Sequence, residues 1–113
     1  MKRLGARNRL AVYGSLAPGQ ANHHVLAGLR GEWRDGTVRG DLHPVGWGMT
    51  LGFPALAWRA DGPVVPVKLF ESPDLPAHWR RLDAFEGNAY RRVVVPVKIG
   101  DGDLPANIYV VAR

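Results

Sequence analysis

Glu86 is the residue whose type and position carry the most chemical meaning. On a helix opening at Leu75, successive side chains turn by about 100°, which puts Leu75, Trp79 and Leu82 near ~0°, ~40° and ~340°. Glu86 then falls near ~20°, in the middle of that apolar stripe, while Arg80 and Arg81 point away at ~140° and ~240°. A carboxyl group held there resists ionising, so its pKa rises toward the range useful for proton transfer. The alternative is a helix that frays before Glu86 and releases the side chain to water. Asp83 lies near ~80°, at the edge of the stripe, which suits a hydrogen-bonded structural carboxylate.

The turn Tyr13-Gly14-Ser15-Leu16-Ala17-Pro18-Gly19 is the second feature. A strand, a glycine turn and a helix in succession can aim several backbone N–H groups into one concavity, a geometry suited to an anion or a carbonyl oxygen. An ordinary tight turn gives the same residues. The segment lacks the Gly-Lys-Ser/Thr of a phosphate loop and the glycine spacing of a dinucleotide site. Ser15 is not in the Gly-x-Ser-x-Gly setting of a hydrolase elbow. His23, His24, His43 and His78 show no metal-ligand spacing, and the chain has no cysteine. Neither a metal nor an organic cofactor is expected.

Short elements must position these residues, because 14 glycines and 9 prolines punctuate the whole chain. A first strand is expected over 10–13 and a short helix from Asn22, its N-cap, to Gly28. Strands follow at about 33–42, with a bend at Gly36, then at 54–58 and 64–70, where Pro66 marks an edge or a bulge. One helix is predicted from Leu75 to about Phe85, stopped by Gly87. Val93, Val95, Val97 and Ile99 alternate with Arg92, Val94, Pro96 and Lys98, the period of a half-buried strand. Gly100-Asp101-Gly102-Asp103 turns the chain into a last strand over 108–111. The sum is a small α+β domain spanning 1–113, with two short flanking helices and its strands closed or nearly closed into a barrel.

Composition narrows the function classes. A chain of 113 residues with 46% hydrophobic and 22% charged residues fits one soluble globular domain. The basic start, Met1 to Arg9, precedes no apolar signal core, and no stretch reaches the ~20 apolar residues of a membrane span. Lack of cysteine fits a reducing compartment, and a cytoplasmic location with no membrane partner is expected. The net charge of +5 invites a nucleic-acid reading, but the arginines are scattered, with no run longer than two among Arg30, Arg34, Arg39, Arg59, Arg80, Arg81, Arg91 and Arg92. No nucleic-acid motif accompanies them, so no such partner is expected.

The segment from Tyr13 to His23, followed about sixty residues later by Leu82-Asp83-Ala84-Phe85-Glu86-Gly87 and Tyr90-Arg91-Arg92, resembles the gamma-glutamylcyclotransferase-like superfamily. It looks closest to the gamma-glutamylaminecyclotransferase and AIG2-like branch, and the similarity runs from about Leu10 to Ala112. The resemblance implies a small mixed, mostly antiparallel β-barrel with a pocket at one mouth and Glu86 as the catalytic acid/base. It also implies that Tyr13, Gly14, Ser15 and Leu16 bind substrate, and that Tyr90 and Arg92 support the pocket. One departure is visible: Pro66-Val67-Lys68-Leu69-Phe70 carries bulk where the family commonly has a glycine, which alters the pocket's shape. The expected activity closes a gamma-glutamyl amide to 5-oxoproline and releases the amine, without cofactor or metal. The alternative is a ligand-binding protein that keeps the fold and pocket without turnover. Monomer and homodimer are both compatible with the sequence.

Overall fold

The computed structural model describes residues 4–14, 18–20, 23–43 and 55–111. Six strands are present: β1 (Arg9–Val12), β2 (Glu32–His43), β3 (Ala55–Trp58), β4 (Val64–Glu71), β5 (Tyr90–Ile99) and β6 (Gly102–Val111). Their order is β3-β2-β4-β1-β6-β5, and a further β2–β5 pairing closes five of them into a barrel with β3 added on β2. The β1–β6 pair is parallel and the other described pairs are antiparallel. This is the closed barrel that the strand pattern suggests and the mixed, mostly antiparallel one that the resemblance implies.

Local sequence explains several joints. Ile99 pairs with Gly102, so Gly100-Asp101 forms a two-residue hairpin loop, and Gly100 takes the positive φ of 59° that such a turn requires. Pro66 pairs with Thr37 of β2, but β1 reaches β4 only over residues 68–71. Among the described residues its other flank is therefore unpaired, where a missing N–H removes no ladder bond. Barrel closure needs Gly36: a Cβ there would lie 2.6 Å from Ile99 Cδ1 and 2.9 Å from the Lys98 carbonyl oxygen.

The helical expectations need two corrections. The segment from Leu75 to Phe85 is not one helix but a 3₁₀ turn, Leu75–Ala77, followed by α1, Trp79–Glu86. His78 joins them with φ −116°, off the helical value, after a turn that begins with Pro76 near its start. The stripe survives because Trp79, Leu82 and Glu86 are all inside α1, while Leu75 is independently buried at 0% exposure. The expected helix after the first turn is reduced to a 3₁₀ turn, His23–Val25, and its proposed cap Asn22 lies outside the described residues.

Alternation along the strands produces two cores. Ala11, Val65, Val67, Leu69, Val95, Val97, Ala106, Ile108 and Val110 fill the barrel. Leu10, Val12, Phe70 and Tyr109 point the other way and pack with Leu26, Leu75, Trp79 and Leu82 outside it. β1 and the second half of β6 are thus buried on both faces, which is why neither shows a polar side. Docking α1 on this outer layer is what carries Glu86 to the barrel. Truncating Leu82, fully buried in that layer, would cost about 2–5 kcal/mol.

Candidate active site

Glu86 is the last residue of α1, and the helix does not fray before it. The Gly87 N–H donates to the Asp83 carbonyl oxygen at 3.1 Å, and Gly87 then leaves the helix with φ 80°, ψ −175°. That backbone conformation belongs essentially to glycine, so the stop falls directly after the carboxylate. Glu86 is half-buried, and among the described residues no hydrogen bond or ion pair reaches its carboxylate. Burial pushes its pKa from 4.5 up to about 7.

Three phenols sense this charge. Tyr13 follows β1, Tyr90 opens β5 and Tyr109 lies near the end of β6, and burial followed by other local effects, including the Glu86 charge, raises the pKa of each. The strand ends explain the convergence: β1 and β6 run parallel, and Tyr90 pairs with Val111 beside them. Together they form one mouth of the barrel. The Tyr13 hydroxyl itself is committed to backbone, donating to the Tyr109 carbonyl oxygen at 2.6 Å and accepting from the Leu56 N–H at 3.1 Å. It pins the start of the turn to β6 and β3. Gly14 follows half-buried, whereas Ser15 and Leu16 lie outside the described residues.

Behind Glu86, Asp83 has a different environment. Arg92 Nε donates to its Oδ1 at 2.8 Å and the Tyr109 hydroxyl donates to the same oxygen at 2.6 Å. The Arg92 hydrogen bond is the main reason the Asp83 carboxyl sits below the usual range, with Tyr109 adding to it against the opposing effect of burial. Arg92 also donates to Asn107 Oδ1 at 2.9 Å and lies 4.3 Å from the centre of the Trp79 ring. Two carboxylates three residues apart thus have opposite settings: Asp83 is ionised and gripped, and Glu86 is unpaired and reluctant to ionise. Arg92 belongs to the scaffold of α1, while Tyr90 stands by Glu86. Tyr109 and Asn107 escaped the sequence reading. Their signal was two polar residues on one face of a strand whose other face, Ala106, Ile108 and Val110, is wholly apolar.

The bulk noted in β4 resolves by face. Val67 and Leu69 point into the barrel core, and Lys68 points outward to an ion pair with Asp35. Among the described residues no group of three or more His, Asp or Glu side chains is placed to hold a metal ion. No helix of the described residues is long and apolar enough to cross a membrane.

The fold is a closed mixed barrel whose half-buried Glu86 carboxylate has no partner among the described residues, and comparison assigns its family. Residues 10–113 match the family described as Gamma-glutamyl cyclotransferase, AIG2-like, and the chain belongs to that family. An AIG2-like protein from Mus musculus shares the fold at a TM-score of 0.70 and 22% identity, over 93% of this chain and 77% of that one. YkqA from Bacillus subtilis is 26% identical with a TM-score of 0.70, over 92% of this chain and 35% of that one. An uncharacterised protein from Pyrococcus horikoshii has a TM-score of 0.63 and 20% identity, over 93% and 78% of the two chains. No curated protein matches the chain.

Proposed function

We propose that this protein is a gamma-glutamyl cyclotransferase that converts a gamma-glutamyl amide to 5-oxoproline and a free amine, with Glu86 as its acid/base group. The observation that carries the reading is the half-buried Glu86 carboxylate with a pKa near about 7 and no cation paired with it among the described residues. Such a group takes and returns a proton near neutral pH with little bias in either direction. Membership in the family described as Gamma-glutamyl cyclotransferase, AIG2-like, supports the substrate class.

The reaction suits one carboxylate. Glu86 accepts a proton from the substrate's α-ammonium, and the freed amine attacks the γ-carbonyl carbon of the same molecule. The tetrahedral centre then expels the amide nitrogen, which takes up the proton returned by Glu86, while the attacking nitrogen gives its second proton to the departing amine, which leaves as an ammonium. One C–N bond forms, one breaks, and no water is consumed. Because nucleophile and electrophile share a chain, effective molarities on the order of 10⁵ M are available once the chain is folded. The backbone of the turn from Tyr13 through Leu16 is the proposed cradle for substrate and oxyanion. The proposed ligand is a small molecule, with no nucleic acid or membrane partner, and the proposed setting is the cytoplasm.

The test is a panel of gamma-glutamyl amines, gamma-glutamyl amino acids and glutathione, with 5-oxoproline quantified after incubation with chelator present. Release from at least one member, absent in Glu86→Gln, is the expected result. No release from any member, with binding of the same compounds intact, would favour a ligand-binding protein. Loss of activity on chelation, restored by a divalent ion, would overturn the mechanism.

A further inference from the structure

Tyr109 joins the two halves of the site through a continuous series of short contacts. On one side its carbonyl oxygen accepts the Tyr13 hydroxyl at 2.6 Å, where the turn begins. On the other, its own hydroxyl donates to Asp83 Oδ1 at 2.6 Å. The Asp83 main-chain carbonyl accepts the Gly87 N–H at 3.1 Å and so closes the helical turn that bears Glu86. We propose that Tyr109 is the positioning residue that sets the Glu86 carboxylate in register with the Tyr13 turn.

Several features separate this link from ordinary packing. A phenol on an ionised carboxylate is a charge-assisted bond, shorter and about twice as strong as a neutral one. Burial and Asp83 keep the Tyr109 phenol protonated, so the donor is present throughout the working pH range. Arg92, from β5, holds the same carboxylate from a second direction and is itself braced by Asn107 and Trp79. Asp83 can therefore neither rotate nor lose charge without moving the end of α1. The titratable groups around Glu86 are Tyr13 from the β1 end, Tyr90 from β5, Tyr109 from β6 and Asp83 from α1, with Arg92 tied to Asp83. Arg92 is the second anchor of the helix end, and Tyr109 is the one that also reaches the Tyr13 turn. Phe85, beside Glu86, is 43% exposed and contributes little grip.

The test is Tyr109→Phe, which keeps the buried ring and removes only the hydroxyl. As to turnover, the inference rests on the cyclotransferase reading, so a readout independent of turnover is included. The chain has three glutamates, Glu32, Glu71 and Glu86, and the Glu86 carboxyl carbon is assigned in an NMR titration as the signal missing from Glu86→Gln. Tyr109→Phe is expected to lower kcat by about 30-fold with KM within about twofold, as a displacement approaching 1 Å would. It should also move the Glu86 midpoint down from about 7 toward 4.5, as water reaches the loosened carboxylate. Leu26→Ala, in the same outer core but outside the chain of contacts, serves as control. It should lower the urea midpoint while leaving kcat and the Glu86 titration in place.

Wild-type protein inactive on every substrate defeats the functional reading alone, since the titration still decides the positioning role. An unmoved Glu86 midpoint in folded Tyr109→Phe overturns the proposal, as does the same shift in Leu26→Ala. If Tyr109→Phe fails to fold, the double variant Asp83→Asn with Arg92→Gln removes the gripped carboxylate without releasing a cation. The same shift there supports the proposal, and no shift overturns it.

Discussion

Glutamine at position 86 keeps the shape of glutamate and removes its charge, which makes stability a direct probe of the carboxylate's surroundings. Between pH 4.5 and about 7 the unfolded chain ionises Glu86 while the folded chain resists. The native state therefore loses stability as pH rises through that window, and the loss is constant above it. The span from 4.5 to about 7 corresponds to roughly 3 kcal/mol at ~1.4 kcal/mol per tenfold change in proton affinity. The side chain is half-buried rather than sealed, so solvent screening reduces this to about 2 kcal/mol. Glu86→Gln removes the loss, and an amide short of partners returns up to about 1 kcal/mol of it. The net expectation at pH 8 is a variant more stable by about 1–2 kcal/mol, or about 4–8 °C in Tm for a chain of this size.

The amide contribution does not titrate, so the pH difference isolates the charge. Urea unfolding followed by the fluorescence of the four tryptophans, at several pH values from 4 to 8, should show the stability gap growing by about 2 kcal/mol across the range. Turnover should fall by about 10²–10⁴-fold in the same variant, the usual contribution of a positioned acid/base group. A gap that is flat with pH, or a wild type that gains stability above pH 7, would refute the argument. Either would mean that Glu86 is an ionised, paired structural residue.

Three further outcomes follow from the same geometry. The acid limb of kcat/KM should have a midpoint near about 7, set by Glu86, and a limb near 4.5 would mean that a solvated carboxylate does the chemistry. Gly87→Ala should lower stability by about 1–3 kcal/mol, read by thermal unfolding, because nothing crowds a Cβ there and only the φ of 80° opposes it. Ser15→Ala should reduce kcat/KM far less than Gly14→Val, since the turn is proposed to act through its backbone, and abolished turnover in folded Ser15→Ala would give the hydroxyl a direct role.

What the sequence revealed and what it hid divide along physical lines. Period-two alternation in β5 and period-3.6 spacing in α1 are local, and both placed their residues on the right faces: Val95 and Val97 inside the barrel, Trp79 and Leu82 beneath the helix. The break at His78 was hidden because Pro76 is as acceptable in a helix's first turn as in a 3₁₀ turn. The Tyr13–Tyr109 and Tyr109–Asp83 contacts were beyond reach, since they join residues 96 and 26 positions apart. No local period encodes a pairing of that kind. In β6 the alternation of Ala106, Ile108 and Val110 with Asn107 and Tyr109 was legible, but not the partners that the polar pair meets.

The pairing pattern of the other acids explains how a basic protein keeps one carboxylate unpaired. With 15 cations against 10 acids, a stray guanidinium near Glu86 would hold it ionised and abolish its use as an acid. Six of the described cations are engaged by other acids: Arg9 and Arg34 on Glu71, Arg30 on Asp74, Arg59 on Asp41 and Asp61, Lys68 on Asp35, Arg92 on Asp83. Glu32, Asp101 and Asp103 form no ion pair but are exposed, which leaves Glu86 as the half-buried acid without one among the described residues. Arg92 is held by Asp83 and Asn107, and no ion pair joins it to Glu86 among the described residues. Asp83 thus fixes the end of α1 through Tyr109 and Arg92 and keeps that guanidinium in an ion pair of its own.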